Sequence, residues 1–267
     1  MDSEEINPQP KQKYVISRSI DNFFRDIYSV YKFITQFFRE AFSRPFEGKE
    51  TIRQCFEVGY RSLFLISLTG FITGIVFTKQ SRPSLATFGA SSWLPSLISI
   101  AIIRALAPLV TALITAGKVG SNIGAELGSM RVTEQIDAME VSATNPFKFL
   151  VVTRVLATTL MQPVLMCYSG FIGLMGSYIN VHANEETSFR AFFENAFTTI
   201  SFLDIFSSVI KSLLYGFTIG ITGCYQGYFA KNGTQGVGKA ANTAVVISMF
   251  LVFIEEMIVV QFVNAIR

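Results

Sequence analysis

Long stretches of this sequence contain no Asp, Glu, Lys or Arg. Four such runs cover residues 62–78, 83–103, 155–184 and 212–230, and a fifth apolar run begins at residue 240 and is interrupted by Glu255 and Glu256. Each run is at or near the roughly 20 residues that a helix needs to cross a hydrocarbon core. The pattern predicts an all-α polytopic membrane protein with five transmembrane helices.

The polar segments between these runs predict the connections. We expect a turn at residues 79–83 after the first span, and a loop with a short amphipathic piece at residues 180–199. A short glycine-rich loop is expected at residues 231–239, before the fifth span. Gly70 and Gly74 in the first span, and Gly170, Gly173 and Gly176 in the third, predict close helix packing because small residues let helix backbones approach.

The first 48 residues differ from the rest. Residues 1–13 form a polar tail without the apolar core of a cleaved signal peptide. In residues 14–48, basic side chains recur every seven residues opposite an aromatic stripe. This pattern predicts an amphipathic helix that lies in the headgroup region of the membrane. A soluble helix packed on a partner is the alternative.

A polar island, residues 117–146, separates the second and third spans. It begins with Gly120, Gly124 and Gly128, a stripe that predicts close helix packing. It continues as an amphipathic segment, residues 131–141, and Asn145 and Pro146 are expected to stop that helix because a residue before proline avoids the α region. The segment is either a lever that a protein outside the membrane holds, or a merely solvated loop helix.

The basic residues are distributed unevenly between the two sides of the predicted span arrangement. Fifteen lie on the side of the N-terminus and the island, and four lie on the other side. Since positive loops face the cytoplasm, we expect the N-terminus and the island to be cytoplasmic and the C-terminus to lie outside.

Candidates for chemistry within this chain are weak. The segment GKVGS at residues 117–121 lacks the glycine and the Ser/Thr of a phosphate-binding Walker motif. The single histidine, His182, has no second ligand nearby in sequence, and the three cysteines lack metal-ligand spacing. We therefore expect no catalytic residue, no metal site, no nucleic-acid binding and no cofactor in this chain.

The charges inside the spans are more informative. Arg104 and Lys211 lie in the second and fourth apolar segments, where an unpaired cation costs at least about 2.5–3.5 kcal/mol. They are either neutralised by Asp204, Glu255 or Glu256, or they line a cavity for an anionic ligand such as a lipid phosphate.

Two sequence blocks carry a family resemblance. Residues 107–157 include GSNIGAELGSMRVTEQIDAMEVSATNPFKF, and residues 210–250 include GFTIGITGCYQGYFAKNGTQGVG. Both closely resemble the MlaE/YrbE permeases, the membrane subunits of ABC transporters that move phospholipids between inner and outer membranes. The resemblance implies a permease domain over residues 49–267, a homodimer with a lipid cavity at its axis, and a location in the bacterial inner membrane.

The resemblance also implies partners and residue roles. Residues 131–141 match the coupling helix that contacts a cytoplasmic ABC ATPase, which holds the ATP and magnesium. An MCE-domain protein on the periplasmic side exchanges the phospholipid, and a STAS-domain protein sits on the ATPase. The implied ATPase contacts are Arg131, Glu134, Asp137, Met139 and Glu140; the implied lipid-cavity residues are Arg104, Lys211 and Phe88.

One position departs from the family pattern. The family's Arg-Glu-Leu-Gly-Pro reads Arg-Ala-Leu-Ala-Pro at residues 104–108 here, so Ala105 replaces a glutamate. Either another acidic residue substitutes for it, or the headgroup preference differs. Two other functions remain open: an ion-coupled carrier with Glu255 or Glu256 as proton relays, and a non-transporting membrane scaffold.

Overall fold

A computed structural model describes residues 13–44, 46–185, 187–231 and 233–266. The chain divides into two compact units, residues 1–44 and 45–267. The predicted polar tail, apart from Lys13, lies outside the described residues.

The described part of the first unit, residues 13–44, contains one helix, α1, Lys13–Ala41. It is shorter than the predicted helix over residues 14–48: residues 42–44 form a turn and a bend, and the next helix begins at Gly48. The sequence explains the early end, because Arg44 precedes a proline and is therefore disfavoured in the α region. Its location in the headgroup layer stays a prediction.

The second unit confirms the prediction of five membrane-length helices. They are α2, Gly48–Thr87; α3, Ser91–Val132; α5, Phe147–Glu185; α7, Phe202–Tyr228; and α8, Gly233–Ile266. Two short helices complete the unit: α4, Gln135–Val141, and α6, Phe189–Thr198. No β-strand occurs in the described residues, so the fold class is all-α as expected.

The predicted turn at residues 79–83 is wrong. Helix α2 continues through Pro83 to Thr87, and the chain reverses at Gly89, which has a φ of 64°. Arg82 explains why the helix persists beyond its apolar run. Its Nη1 donates to Asn184 Oδ1 at 2.8 Å and its Nε lies 3.5 Å from Glu185 Oε1, so polar contacts with the end of α5 replace hydrophobic ones.

Two other boundaries also differ from the prediction. The glycine-rich part of the island, for which close helix packing was predicted, extends the second span, because α3 runs without a break through residues 117–132. Likewise the loop expected at residues 231–239 is shorter, since α8 already begins at Gly233. In the island the glycines mark close helix packing, whereas Gly233, with a φ of 64°, marks the turn before α8.

Glycines let α2 and α5 approach closely, as the sequence predicted. A Cβ atom at Gly70 would lie 3.2 Å from the Ser169 backbone oxygen, and one at Gly176 would lie 2.5 Å from the backbone oxygen of Phe71. Ser177 Oγ donates to the Gly74 carbonyl at 3.1 Å across the same interface. Residue numbers rise together along this contact, so α2 and α5 are parallel, as expected for the first and third spans of an alternating bundle.

Because successive spans run in opposite directions, their connections lie at two ends of the second unit. The α4 end carries α4 and the connection between α7 and α8, and the distal end carries the turn at Gly89 and the connection between α6 and α7. Ser201 begins α7 at the distal end with a capping box, in which Asp204 Oδ2 accepts from the Ser201 N–H at 3.1 Å. This cap fixes Asp204, whose side chain takes part in the site described below.

The Gly74 contact leads to a stability prediction. A Gly74→Ala substitution places a methyl group against the Gly173 carbonyl oxygen, a backbone atom that cannot move aside. Overpacking of this kind costs about 1–3 kcal/mol, and we expect a lower melting temperature in detergent. Gly59→Ala is the matched control, because its methyl group meets only the flexible end of Met161. Equal melting temperatures for the two variants would contradict the close backbone contact.

Candidate functional site

Two basic residues from different spans lie side by side. Arg104 belongs to α3 and Lys211 to α7, and Lys211 Nζ donates to the Arg104 backbone oxygen at 3.2 Å. Both interrupt long apolar segments, so each needs a polar partner inside the helix bundle. The partners described next form, with these two cations, what we call the charge cluster: Arg104, Asp204, Lys211, Glu255 and Glu256.

The local helix geometry explains why the Arg104 carbonyl is available. In an α-helix this carbonyl would accept from the N–H of residue 108, but Pro108 has no N–H. The segment Ile102–Leu106 is π-helical, with the Ala107 N–H bonded to the Ile102 oxygen. Such π-segments are frequent at functional sites. Here the segment leaves a backbone acceptor that the Lys211 ammonium group satisfies.

Lys211 is enclosed by its partners. Its Nζ lies 2.7 Å from Glu256 Oε1, and only 5% of its side chain is exposed. The second Glu256 oxygen accepts a short hydrogen bond from the Tyr215 hydroxyl. Lys211 therefore connects the backbone of α3 with the carboxylate of α8, and in this chain it has little surface left for a ligand.

Arg104 is different because its ion pair leaves part of the side chain open. Its Nε lies 3.1 Å from Asp204 Oδ1, yet 28% of the Arg104 side chain is exposed while Asp204 is 2% exposed. A guanidinium group has five N–H donors in a planar fork. Arg104 thus keeps a donor surface beyond its fixed carboxylate partner.

A third carboxylate completes the cluster. Glu255 Oε1 accepts a short hydrogen bond from Thr218, whereas Glu255 Oε2 is buried without a hydrogen-bond partner among the described residues. The structure therefore pairs Arg104 with Asp204 and Lys211 with Glu256, which is the neutralisation considered as one alternative. Asp204 thus supplies an acidic partner to Arg104 that the neighbouring Ala105 cannot.

Sequence reasoning missed Tyr215 and Thr218 as members of this site. Their spacing from Lys211, four and seven residues, places all three side chains on one face of α7. That periodicity was the available signal. Phe88 is not among the contacts of the charge cluster: it ends α2 in the distal turn and is 84% exposed.

The glycine stripe of the island lies between helices. A Cβ at Gly124 would be 3.2 Å from the Ala241 Cα, and one at Gly128 would be 3.5 Å from the Val237 Cα, both in α8. On the other side, a Cβ at Gly120 would be 3.6 Å from Ile219 of α7. The α4 end of α3 is therefore packed between α7 and α8.

The predicted helix over residues 131–141 is broken. Glu134 adopts a left-handed conformation with a φ of 59°, so α3 ends at Val132 and α4 begins at Gln135. The side chains of Arg131 and Asp137 form a short ion pair across this break. The helix α4 ends at Val141, the last residue of the predicted segment, and thus before Asn145 and Pro146.

Asn145 has a different role from the one predicted. Its Oδ1 accepts from the Lys148 N–H at 3.1 Å, so it caps the start of α5 instead of stopping the preceding helix. Within α4, Ile136 is buried and Met139 half-buried, whereas Glu140 and the preceding Glu134 are exposed. The short helix thus has one anchored side and one acidic, solvent-facing side.

These features define a multi-pass membrane permease: five membrane-length helices, a short exposed helix between the second and third, and a charge cluster inside the bundle. The family model described as Permease MlaE matches residues 51–262. This chain belongs to the MlaE permease family.

Relatives support the same assignment. The chain is 34% identical over 235 residues to the probable ABC transporter permease protein RP096 of Rickettsia prowazekii, covering 88% of this chain and 90% of the relative. It is 35% identical to the probable ABC transporter permease protein slr1045 of Synechocystis, covering 89% and 90%. It is 31% identical to the chloroplastic protein TRIGALACTOSYLDIACYLGLYCEROL 1 of Arabidopsis thaliana, covering 80% and 61%.

Membership determines the general role of the chain. It is a membrane subunit of an ABC transporter, and a permease of this kind implies a separate ATPase partner and a permease dimer. The chain itself is the non-catalytic transporter subunit.

The Lys211–Glu256 pair gives a second prediction. Lys211→Met leaves Glu256 without its cation, and removing one partner of a buried pair costs about 3–5 kcal/mol. We expect Lys211→Met and Glu256→Gln each to lower the melting temperature strongly. The double variant should recover most of the loss because it leaves no uncompensated charge. Additive losses in this double-mutant cycle would show that the two side chains do not interact.

Proposed function

We propose that this chain is the permease of an ABC transporter that moves glycerophospholipids between the inner and outer membranes of a bacterium. The phosphate of the lipid binds at Arg104, and its acyl chains lie against the apolar walls of a cavity at the axis of the permease dimer. ATP-driven motion of the partner ATPase reaches this cavity through α4. The observation that carries the proposal is the partly exposed Arg104 within a membrane span.

The chemistry of Arg104 fits a phosphate. A guanidinium group binds phosphate through two parallel hydrogen bonds, and Asp204 is 3.1 Å from Nε, so the pair uses only one side of the fork. Lys211 differs, because Glu256 and the Arg104 carbonyl already occupy its ammonium group. We therefore assign the phosphate contact to Arg104, with Lys211 supporting the α3 backbone at that residue. Phe88 has no assigned place in this cavity.

Helix α4 fits the part that contacts the ATPase. Its buried Ile136 anchors it, while Glu134, Asp137 and Glu140 are exposed. The ion pair with Arg131 joins α4 to the end of α3. A push on α4 is therefore delivered to α3, the helix that carries Arg104.

The remaining partners follow from orientation. The excess of basic residues on the α4 side predicts that α4 and the N-terminus are cytoplasmic and that the C-terminus is periplasmic. An MCE-domain lipid-binding protein would then meet the distal end, and a STAS-domain protein would bind the ATPase. The Arabidopsis relative bears the name of a diacylglycerol lipid, which agrees with a lipid substrate.

One observation favours a second function. Glu255 has a buried oxygen with no hydrogen-bond partner among the described residues, and carboxylates inside membranes often relay protons. An ion-coupled carrier would use this group. Transport that depends on a pH gradient and not on ATP would support that alternative.

The lipid site is tested with charge-matched variants. Arg104→Met/Asp204→Asn removes the cation and its buried counter-ion together, which limits the folding defect that Arg104→Ala would produce. We expect about a tenfold or greater loss of co-purified phospholipid, since charge-assisted hydrogen bonds contribute about 1.5–3 kcal/mol. The contrasting variant Lys211→Met/Glu256→Gln should retain lipid per folded molecule. Quantitative lipid extraction measures the co-purified phospholipid in both double variants. Equal retention in the two would show that Arg104 does not bind the lipid.

The α4 contact is tested without disturbing the backbone. Asparagine tolerates the left-handed conformation, so Glu134→Asn removes the charge and keeps the turn. We expect Glu134→Asn to lower permease-dependent ATP hydrolysis by the co-expressed ATPase several-fold, as loss of one interfacial charged contact does. Arg190→Ala, an exposed basic position at the distal end, is the control. Unchanged ATP hydrolysis in Glu134→Asn and in Asp137→Asn would show that α4 does not couple the permease to the ATPase.

A further inference from the structure

A polar cavity lies at the distal end, apart from the charge cluster. It has a volume of about 680 Å³ and lies between the ends of α2 and α5. Its lining includes Lys79, Arg82 and Pro83 from α2, and Asn180 and Glu185 from α5. Groups of both charge signs thus face one space.

The position of this cavity along α2 corresponds to the headgroup layer. Residues 62–78 contain no charged side chain, and at 1.5 Å per residue they span about 25 Å, close to the thickness of a hydrocarbon core. Lys79 is the first charged residue after that run. Trp93, 72% exposed, lies in the first turn of α3 at the same end, and tryptophan is enriched at membrane interfaces.

One side of the cavity is suited to an anion. Lys79 is exposed and has no partner within the described part of the chain. Arg82 is held in place by Asn184 at 2.8 Å and Glu185 at 3.5 Å. A guanidinium group held by two partners, next to an exposed ammonium group, is an arrangement that binds a phosphodiester.

The cavity lining also supplies hydrogen-bond acceptors. Pro83 has no N–H, so the Lys79 carbonyl lacks its usual donor four residues later in the helix. The Glu185 carboxylate is only partly engaged by Arg82, at 3.5 Å. Beside it, Asn180 Oδ1 is buried without a hydrogen-bond partner among the described residues. A ligand that carries N–H donors next to its phosphate would satisfy both halves of the cavity.

We propose that this distal cavity binds the phosphoethanolamine headgroup of a membrane glycerophospholipid, with phosphate on Lys79 and Arg82 and the ammonium group on Glu185 and the Lys79 carbonyl. The proposal rests on the function proposed above and deepens it. The transported lipid then has a second binding site, at the end of the bundle opposite α4. This site selects headgroups that carry N–H donors.

The test compares two lipids that differ only in those donors. The full chain, purified with its ATPase subunit and stripped of lipid, is mixed with equal amounts of phosphatidylethanolamine and phosphatidylcholine of identical acyl chains. Native mass spectrometry counts the bound lipids. We expect about a tenfold preference for phosphatidylethanolamine, as charge-assisted hydrogen bonds give. Measuring in the Arg104→Met/Asp204→Asn background removes lipid from the central site.

The variants assign the two halves of the cavity separately. Lys79→Gln should lower binding of both lipids about fivefold, the effect of one basic residue near a membrane surface. Pro83→Ala restores an N–H for the Lys79 carbonyl. The ratio of bound phosphatidylethanolamine to bound phosphatidylcholine should therefore fall toward one, while the total amount of bound lipid persists. Arg190→Ala, at the same end but outside the cavity, should change neither quantity. Equal binding of the two lipids by the native chain, or insensitivity to both Lys79→Gln and Arg82→Gln, would overturn the proposal.

Two further arms separate the possible causes of failure. Free glycerophosphoethanolamine at the same concentration should not displace the bound lipid; displacement would overturn a membrane lipid as the ligand. ATP-driven lipid transfer is measured in parallel on the native complex. Transfer without any headgroup preference counts against the distal site alone, whereas headgroup preference without ATP-driven transfer counts against the proposed transport function alone.

Discussion

The structure depends on neutralising charges that lie inside a membrane bundle. Burying one unpaired ion there costs several kcal/mol, so each cation of the charge cluster determines which helix must lie beside it. Arg104 requires Asp204 at the start of α7, and Lys211 requires Glu256 in α8. Because Lys211 also donates to the Arg104 carbonyl, the two pairs join α3, α7 and α8 at one level. The third carboxylate, Glu255, accepts a hydrogen bond from Thr218, which lies on the same face of α7. The charge cluster is thus the polar counterpart of a hydrophobic core, and it fixes three helices at once.

Glycine packing provides the geometry that this cluster needs. A Cβ at Gly227 of α7 would lie 2.9 Å from the Gly124 carbonyl of α3, and one at Gly223 would lie 3.2 Å from the Gly120 carbonyl. Such short separations bring the backbones of α3 and α7 close along their α4 ends, and side chains no longer than lysine then reach a neighbouring backbone oxygen. In lipid the hydrophobic effect does not drive helices together, so this packing and the buried polar contacts supply the association energy. Glycines and charges in the same two helices therefore act together.

Whether the sequence could predict a feature depends on how far apart along the chain the interacting residues lie. Charge-free runs identify spans because insertion depends on local composition, and the five spans are confirmed. The turn expected at residues 79–83 is wrong because Arg82 is held by Asn184, about one hundred residues away, and such contacts leave no local pattern. The pairing of Arg104 with Asp204 instead of Glu255 or Glu256 is likewise a choice among distant groups. The break at Glu134 was also not visible, since glutamate gives no signal for a left-handed conformation. Close packing at Gly70 and Gly74 was predictable, because spacing on one helix face is a local property.

The continuity of α3 connects the two parts of the proposed transporter. Arg104 and Arg131 belong to the same helix, Ser91–Val132, and at 1.5 Å per residue they lie about 40 Å apart. A rigid rod of that length would carry a displacement of α4 directly to the phosphate contact. It is not uniform, however, because Ala116–Gly120 and Ile102–Leu106 are π-helical. In each π-segment, backbone hydrogen bonds hold the carbonyl groups less firmly than in an α-helix. Arg104 itself lies in the segment Ile102–Leu106. A shift of α3 would therefore change the contact in which Lys211 donates to the Arg104 carbonyl. In this arrangement a displacement received at α4 reaches the peptide group of Arg104, whose side chain is the proposed phosphate contact.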